Sequence, residues 1–229
     1  MSTLSTHRGL GVEIQAGSAR LQGELLLPGE PLGVVLFAHG SGSSRHSPRN
    51  ALVARALFDA GLGTLLFDLL TAAEDRDYAT RFDIALLSAR LIAATDWLVG
   101  QPVAAGLSIG YFGASTGAAA ALVAAGELSL EISAVVSRGG RPDLAGKAVL
   151  GRVRAPTLLI VGGEDREVIA LNHEALGALR CEKNLRIVPG ATHLFEEAGT
   201  LEQVSALAVE WFRRWLAPAR AASGEARRN

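Results

Sequence analysis

Cysteine is almost missing from this sequence: Cys181 is the single one in 229 residues. No intrachain disulfide and no Cys-based zinc site can form. Cys181, in an Arg-Cys-Glu-Lys run, reads as a free structural thiol. A surplus of one charge is missing too. With 22 basic against 23 acidic residues the net charge is −1, too weak a field to hold a polyanion, so nucleic acid is not expected as a partner. Long hydrophobic runs are absent. The most apolar stretch, GAAAALVAAG at residues 117–126, is too short and too rich in small residues to span a bilayer. The opening MSTLSTHRGLGVEIQ has no apolar core of signal-peptide length. The expectation is a soluble, cytoplasmic protein with no membrane partner. Five scattered histidines show no metal-ligand spacing, so neither a metal nor an organic cofactor is expected.

What is present is an ordinary globular composition, 49% hydrophobic and 20% charged. A chain of this length buries about 70% of its unfolded surface in one α/β domain. Short apolar runs alternate with helical patterns. Residues 12–16 and 20–26 read as a hairpin around Gly17-Ser18. Strands are expected at 33–38, 63–68, 107–112, 132–137, 157–161 and 185–188. Helices are expected at 49–60, 81–98, 116–125, 168–179 and from Thr200, with a short one near 143–150. Gln203, three residues after Thr200, suggests a capping box for the last helix, and Pro218 its end. Continuous apolar strands alternating with helices mean a mostly parallel sheet covered on both faces. No polar linker divides the chain, so residues 1–218 form one expected domain and 219–229 a disordered tail.

The strongest chemical signal is Gly113-Ala114-Ser115-Thr116-Gly117, a GxSxG pattern between an apolar strand and an Ala-rich helix. In that setting the turn presents the serine hydroxyl at a helix N-terminus, and the glycines let strand and helix pass closely. A serine needs a base, and the base an orienting acid. Asp165 follows the strand 157–161 and His193 follows the strand 185–188, both just past a strand's carboxyl end, the edge where open α/β sheets bind ligands. Ser115, Asp165 and His193 are therefore the expected catalytic residues, with Glu164 the alternative acid. His7 and His173 have no strand end to place them. The amides of Ser41, in the loop His39-Gly40-Ser41-Gly42, and Thr116 are expected to hold an oxyanion, with His39 structural. Arg138 and Arg141 flank Gly139-Gly140 after a strand and suit a substrate carboxylate, unless salt bridges to Asp143 or Asp165 occupy them. Arg45-His46 lie further along the Ser41 loop, and Asp68 at a strand end reads as a turn position.

This set of residues resembles the α/β-hydrolase family over nearly the whole chain, and within it the small dienelactone-hydrolase-like branch. The resemblance implies a single-domain α/β-hydrolase fold with little or no lid: only the eighteen residues 138–155 occupy the segment where larger relatives insert a cap. Dienelactone hydrolases carry a cysteine nucleophile and this chain has Ser115, so the resemblance implies a serine esterase acting on small-molecule esters. Some relatives join such a domain to a phosphoribosyltransferase domain. No such domain is expected in this chain, so any such partner is expected as a separate protein. The same triad serves amide, thioester or C–C hydrolysis, and a non-catalytic binding protein on the same fold is the remaining alternative.

Overall fold

A computed structural model describes residues 9–217. His7, Pro218 and the tail expected at 219–229 lie outside the described residues, as do both ends of the expected domain. The elements run β1 (Leu10–Ala16), β2 (Ala19–Leu26), β3 (Val34–Ala38), α1 (Pro48–Asp59), β4 (Gly63–Phe67), α2 (Ile84–Val99), β5 (Ile109–Ala114) and α3 (Thr116–Glu127). They continue through β6 (Ala134–Arg138), α4 (Lys147–Leu150), β7 (Thr157–Gly162), α5 (Arg166–Ala178), β8 (Lys183–Val188) and α6 (Thr200–Leu216). One eight-stranded sheet has the order β1-β2-β4-β3-β5-β6-β7-β8. The six strands from β4 to β8 in that order pair in parallel, and the β1–β2 hairpin joins antiparallel through β2.

Every residue of β3, β4, β5, β6 and β7 is buried, as apolar strands covered on both faces must be. Alternate side chains feed two cores. Leu36, Tyr111 and Val135 pack under α2 and α3; Val35, Phe112 and Val136 pack under α1 and α6. The Ala-rich α3 explains how a helix fits so close to the sheet centre. Nine of its twelve residues are buried, and their small side chains let its backbone approach both β5 and α2. The chain starts the parallel region at β3, steps out to β4 and crosses back to β5 on the other side. That reversal opens a crevice at the carboxyl ends of β3 and β5, where such folds place ligands.

Three local expectations are corrected. The helix expected from residue 81 starts at Ile84, because Asp83 caps it by accepting from Leu86 N; residues before it form two 3₁₀ turns, Glu74–Arg76 and Thr80–Phe82. The helix expected from 168 starts at Arg166, directly after Asp165. The capping box of α6 does not form. Gly199, at φ 79°, takes the cap position, and the Thr200 hydroxyl donates to Glu197 O instead of accepting from Gln203. Residues 142–150 form a 3₁₀ turn (Pro142–Ala145) and then α4, divided by Gly146 at φ 79°. Both pieces pack on α3 and α5. No helix among the described residues is long and apolar enough to cross a membrane.

Candidate active site

Only Ser115 separates β5 from α3. Its backbone, at φ 51° and ψ −121°, lies where side-chain-bearing residues rarely sit. Such strain costs of order 1–3 kcal/mol and persists only where surroundings fix it. Here Ser115 N donates to Arg138 O (3.2 Å), and Ser115 O accepts from Ala118 N and Arg141 N, both at 3.1 Å. The two motif glycines are required by close approach. A Cβ on Gly113 would lie 2.4 Å from Ala118 Cα, and one on Gly117 would lie 2.1 Å from Ala38 O. The first contact is between β5 and its own helix; the second packs α3 against the end of β3. The Ser115 hydroxyl is half-buried and makes no hydrogen bond among the described residues. It sits at the positive end of α3.

Asp165 occupies the N-cap position of α5, yet its carboxylate caps nothing. It accepts instead from His193 Nδ1, at 2.6 Å, and is 15% exposed against 39% for the imidazole. That bond fixes the proton on Nδ1 and leaves Nε2 free as a base. The two residues meet because the loop after β8 lies directly over the end of β7. Glu164 N donates to Ala191 O (3.0 Å), and a Cβ on Gly162 would lie 2.4 Å from that same oxygen. Glu164 itself is exposed. The histidine loop is pinned twice more. Thr192 donates from N and Oγ1 to the Glu197 carboxylate (3.1 and 2.6 Å), and Phe195, at φ 56°, is buried in the α1/α6 core. The imidazole lies beside the elbow: a Cβ on Gly139, the residue after Arg138, would be 3.6 Å from His193 Cε1.

The loop after β3 reaches the same place. A Cβ on Gly40 would lie 3.0 Å from Ser115 Cβ. Thr116 N, first in its helix, has no intrahelical acceptor. Ser41 N donates to Thr116 Oγ1 (3.0 Å), so the two expected oxyanion donors are joined, and the Thr116 hydroxyl must yield for Ser41 N to serve an anion. His39 ties the loop down. Its Nε2 accepts from Leu69 N and its Nδ1 donates to Gly40 O, both at 3.0 Å. Burial pushes its pKa below the ordinary 6.5, so the folded state holds it neutral while the unfolded chain takes up a proton below 6.5. Stability is then lost as pH falls below 6.5, at up to about 1.4 kcal/mol per pH unit. Urea unfolding midpoints between pH 5 and 8 check this: His39→Gln should flatten that slope.

Asp68, read from the sequence as a turn position, accepts from Arg45 N (2.8 Å) and pairs with the Arg45 guanidinium. Arg141 forms a two-pronged pair with Asp143 (2.9 and 2.8 Å), which raises its pKa. Arg138, by contrast, is 7% exposed, and its side chain makes no hydrogen bond among the described residues. Burial, with Arg49 alongside, pushes its pKa down to about 10. His173 is exposed on α5 and His46 on the loop before α1. Sequence reasoning missed Phe195, Glu197 and Gly162, which hold the histidine loop. Only Gly162, at a strand end, carried any signal. The clefts at this edge are small, one of about 210 Å³ lined by Ser43, Ser44, Leu70 and Ala72, among others. Among the described residues no group of His, Cys, Asp and Glu is placed to hold a metal.

No family model matches the chain. It is 55% identical to a dienelactone hydrolase of Anabaena variabilis, whose crystal structure superposes with a TM-score of 0.88 over 91% of this chain and 98% of that one. It is 59% identical over 201 residues to a protein of Mycobacterium tuberculosis provisionally named a phosphoribosyl transferase. That match takes in 88% of this chain and 45% of the relative, so the chain spans less than half of its length. Est1E from Butyrivibrio proteoclasticus, at 16% identity and TM-score 0.76 over 90% of this chain and 98% of that one, shares the fold.

Proposed function

This chain belongs to the dienelactone-hydrolase-like branch of the α/β-hydrolases, and from that membership we propose that it cleaves carboxylic esters of small or soluble substrates through an acyl-enzyme on Ser115. The carrying observation is the strained Ser115 at the start of α3, on the same sheet edge as the His193–Asp165 pair. In this reading His193 Nε2 takes the Ser115 proton as the hydroxyl attacks the acyl carbon. The amides of Thr116 and Ser41 receive the negative charge on the carbonyl oxygen. His193 then protonates the leaving alcohol, and water repeats the sequence on the acyl-enzyme. Asp165 holds the imidazole in the required tautomer and balances its positive charge. Labelling with a fluorophosphonate, followed by turnover of p-nitrophenyl acetate, tests the reading. Absence of labelling counts against the nucleophile. Labelling without ester turnover moves the reaction to an amide, thioester or C–C bond.

The acyl group should be short. The segment after β6, where a cap would enter, folds onto α3 and α5. Cover at this edge is left to the loops after β3 and between β4 and α2, and the latter carries the ring pair Tyr78–Phe82, 71% and 42% exposed. A long chain would therefore lie partly in water, and each exposed methylene forfeits about 0.8 kcal/mol of burial. Measured across p-nitrophenyl esters from C2 to C16, kcat/KM should stop rising by roughly four to six acyl carbons, with no jump at the solubility limit. An optimum at C12 or beyond, or a jump at that limit, contradicts this.

A further inference from the structure

A cleft of about 910 Å³ opens at the edge of the sheet opposite Ser115, against about 210 Å³ for the one near the elbow. Three loops form it, each entering the sheet at a strand's amino end: residues 128–133 before β6, 151–156 before β7 and 179–182 before β8. Arg152 and Arg154, on either side of the buried Val153, line it together with Arg180. All three are exposed, and none makes a side-chain hydrogen bond or ion pair among the described residues. Eight other arginines there do pair with a carboxylate. Glu131 is the acid on the lining, and it too has no ion pair among the described residues, which leaves the cleft a surplus of two positive charges. Leu128, Leu130, Ile132 and Val153 give it apolar walls. Cys181, also on the lining, is half-buried, its Sγ 3.7 Å from Thr157 Oγ1 at the start of β7.

A single exposed arginine needs no partner, because water solvates it. Three on one concave surface repel one another, and low-dielectric walls focus their positive potential into the hollow. The helix ends do not account for them. α3 and α5 both finish at this edge, and free carbonyls there favour cations. At the end of α5, however, Leu179 O already accepts from Lys183 Nζ. A hollow with apolar walls and a few convergent charges is the general form of a ligand site. Guanidinium forks match the oxygens of a phosphate. A phosphate monoester carries about two negative charges at neutral pH, enough to balance the surplus. No aromatic ring lines the cleft, so nothing there stacks a nucleobase, and the walls suit an aliphatic body. We propose that this cleft binds a soluble organic phosphate, an aliphatic group carrying a phosphate, at a site separate from Ser115. It stands whether or not the chain is a hydrolase.

Isothermal titration of the full chain with hexyl phosphate tests it. The Kd should fall below about 1 mM, at least about tenfold tighter than for hexanol, hexanoate or inorganic phosphate. Arg154→Gln and Arg180→Gln, on different loops, should each weaken binding about tenfold without changing Tm. Arg186→Gln, exposed on β8 and outside the cleft's lining, should leave binding alone. Leu130→Asn should weaken hexyl phosphate and not inorganic phosphate. Cys181 supplies a second readout, because it is the single cysteine of the chain. Its alkylation by iodoacetamide, followed by mass spectrometry, should slow about tenfold when hexyl phosphate stands at ten times its Kd. Absence of both binding heat and protection overturns the proposal, as does binding that survives both arginine variants. Hexanoate binding as tightly as hexyl phosphate overturns the phosphate, and inorganic phosphate binding as tightly overturns the aliphatic body. Binding to vesicles containing phosphatidic acid, with none to hexyl phosphate, overturns the soluble ligand in favour of a membrane surface.

Discussion

Ser115→Ala should lower ester turnover by about 10⁶-fold, the scale on which removal of a serine nucleophile acts, while the protein stays folded. The Ser115 hydroxyl makes no hydrogen bond among the described residues and is half-buried, so its loss leaves no orphaned partner there and no enclosed cavity. What alanine retains is the backbone problem at φ 51°. Ser115→Gly separates the two effects. At an ordinary position glycine is less stable than alanine by about 0.4–1 kcal/mol through the freedom of the unfolded chain. At Ser115 relief of strain should cancel or reverse that difference. Both variants should be inactive, with Gly at least as stable as Ala in urea unfolding. Near-normal turnover by either would remove Ser115 from the chemistry, and an ordinary glycine penalty would mean that the turn stores no strain.

Asp165→Asn should lower turnover by about 10⁴-fold with little change in fold. The carboxylate accepts from His193 Nδ1 at 2.6 Å and has no capping duty on α5. An amide there can turn its NH₂ toward the ring, which favours the tautomer with its proton on Nε2, facing the serine. Glu164→Gln, one residue away, should leave turnover within about twofold, because Glu164 is exposed and is tied to the loop through its backbone N–H. His173→Ala should behave likewise and His193→Ala should not. Single-turnover kinetics on the four variants decide between the acids and between the histidines. A dead Glu164→Gln protein with normal unfolding would transfer the orienting role to that residue.

The readable parts of this fold were those that depend on neighbours in sequence. Buried strands such as 34–38 and 157–162 are continuous apolar runs, and GASTG stands between a strand and a helix. The order of strands was not readable, because the step from β3 to β4 and back to β5 leaves no local trace. Helix starts were misjudged where a cap competes. Asp83 and Asp165 are both acidic residues before a helix, yet one caps and the other serves a histidine. The difference lies in what the loop after β8 brings to Asp165. Arg138 and Arg141 look alike in sequence, three residues apart around two glycines. Only the fold shows that the Arg141 side chain has Asp143 and that the Arg138 side chain has no partner among the described residues.

The sheet order also divides the site by mechanical strength. Ser115 hangs from β5, flanked by β3 and β6 and buried throughout. His193 hangs from β8, an edge strand, whose single buried residue is Val188. Amide protons near the elbow are released only when the whole domain opens, whereas the rim strand opens by local fraying. Heat should therefore part Ser115 from His193 before the domain melts. Any activity that needs both residues should be lost first at the rim and, while the centre holds, be recovered on cooling.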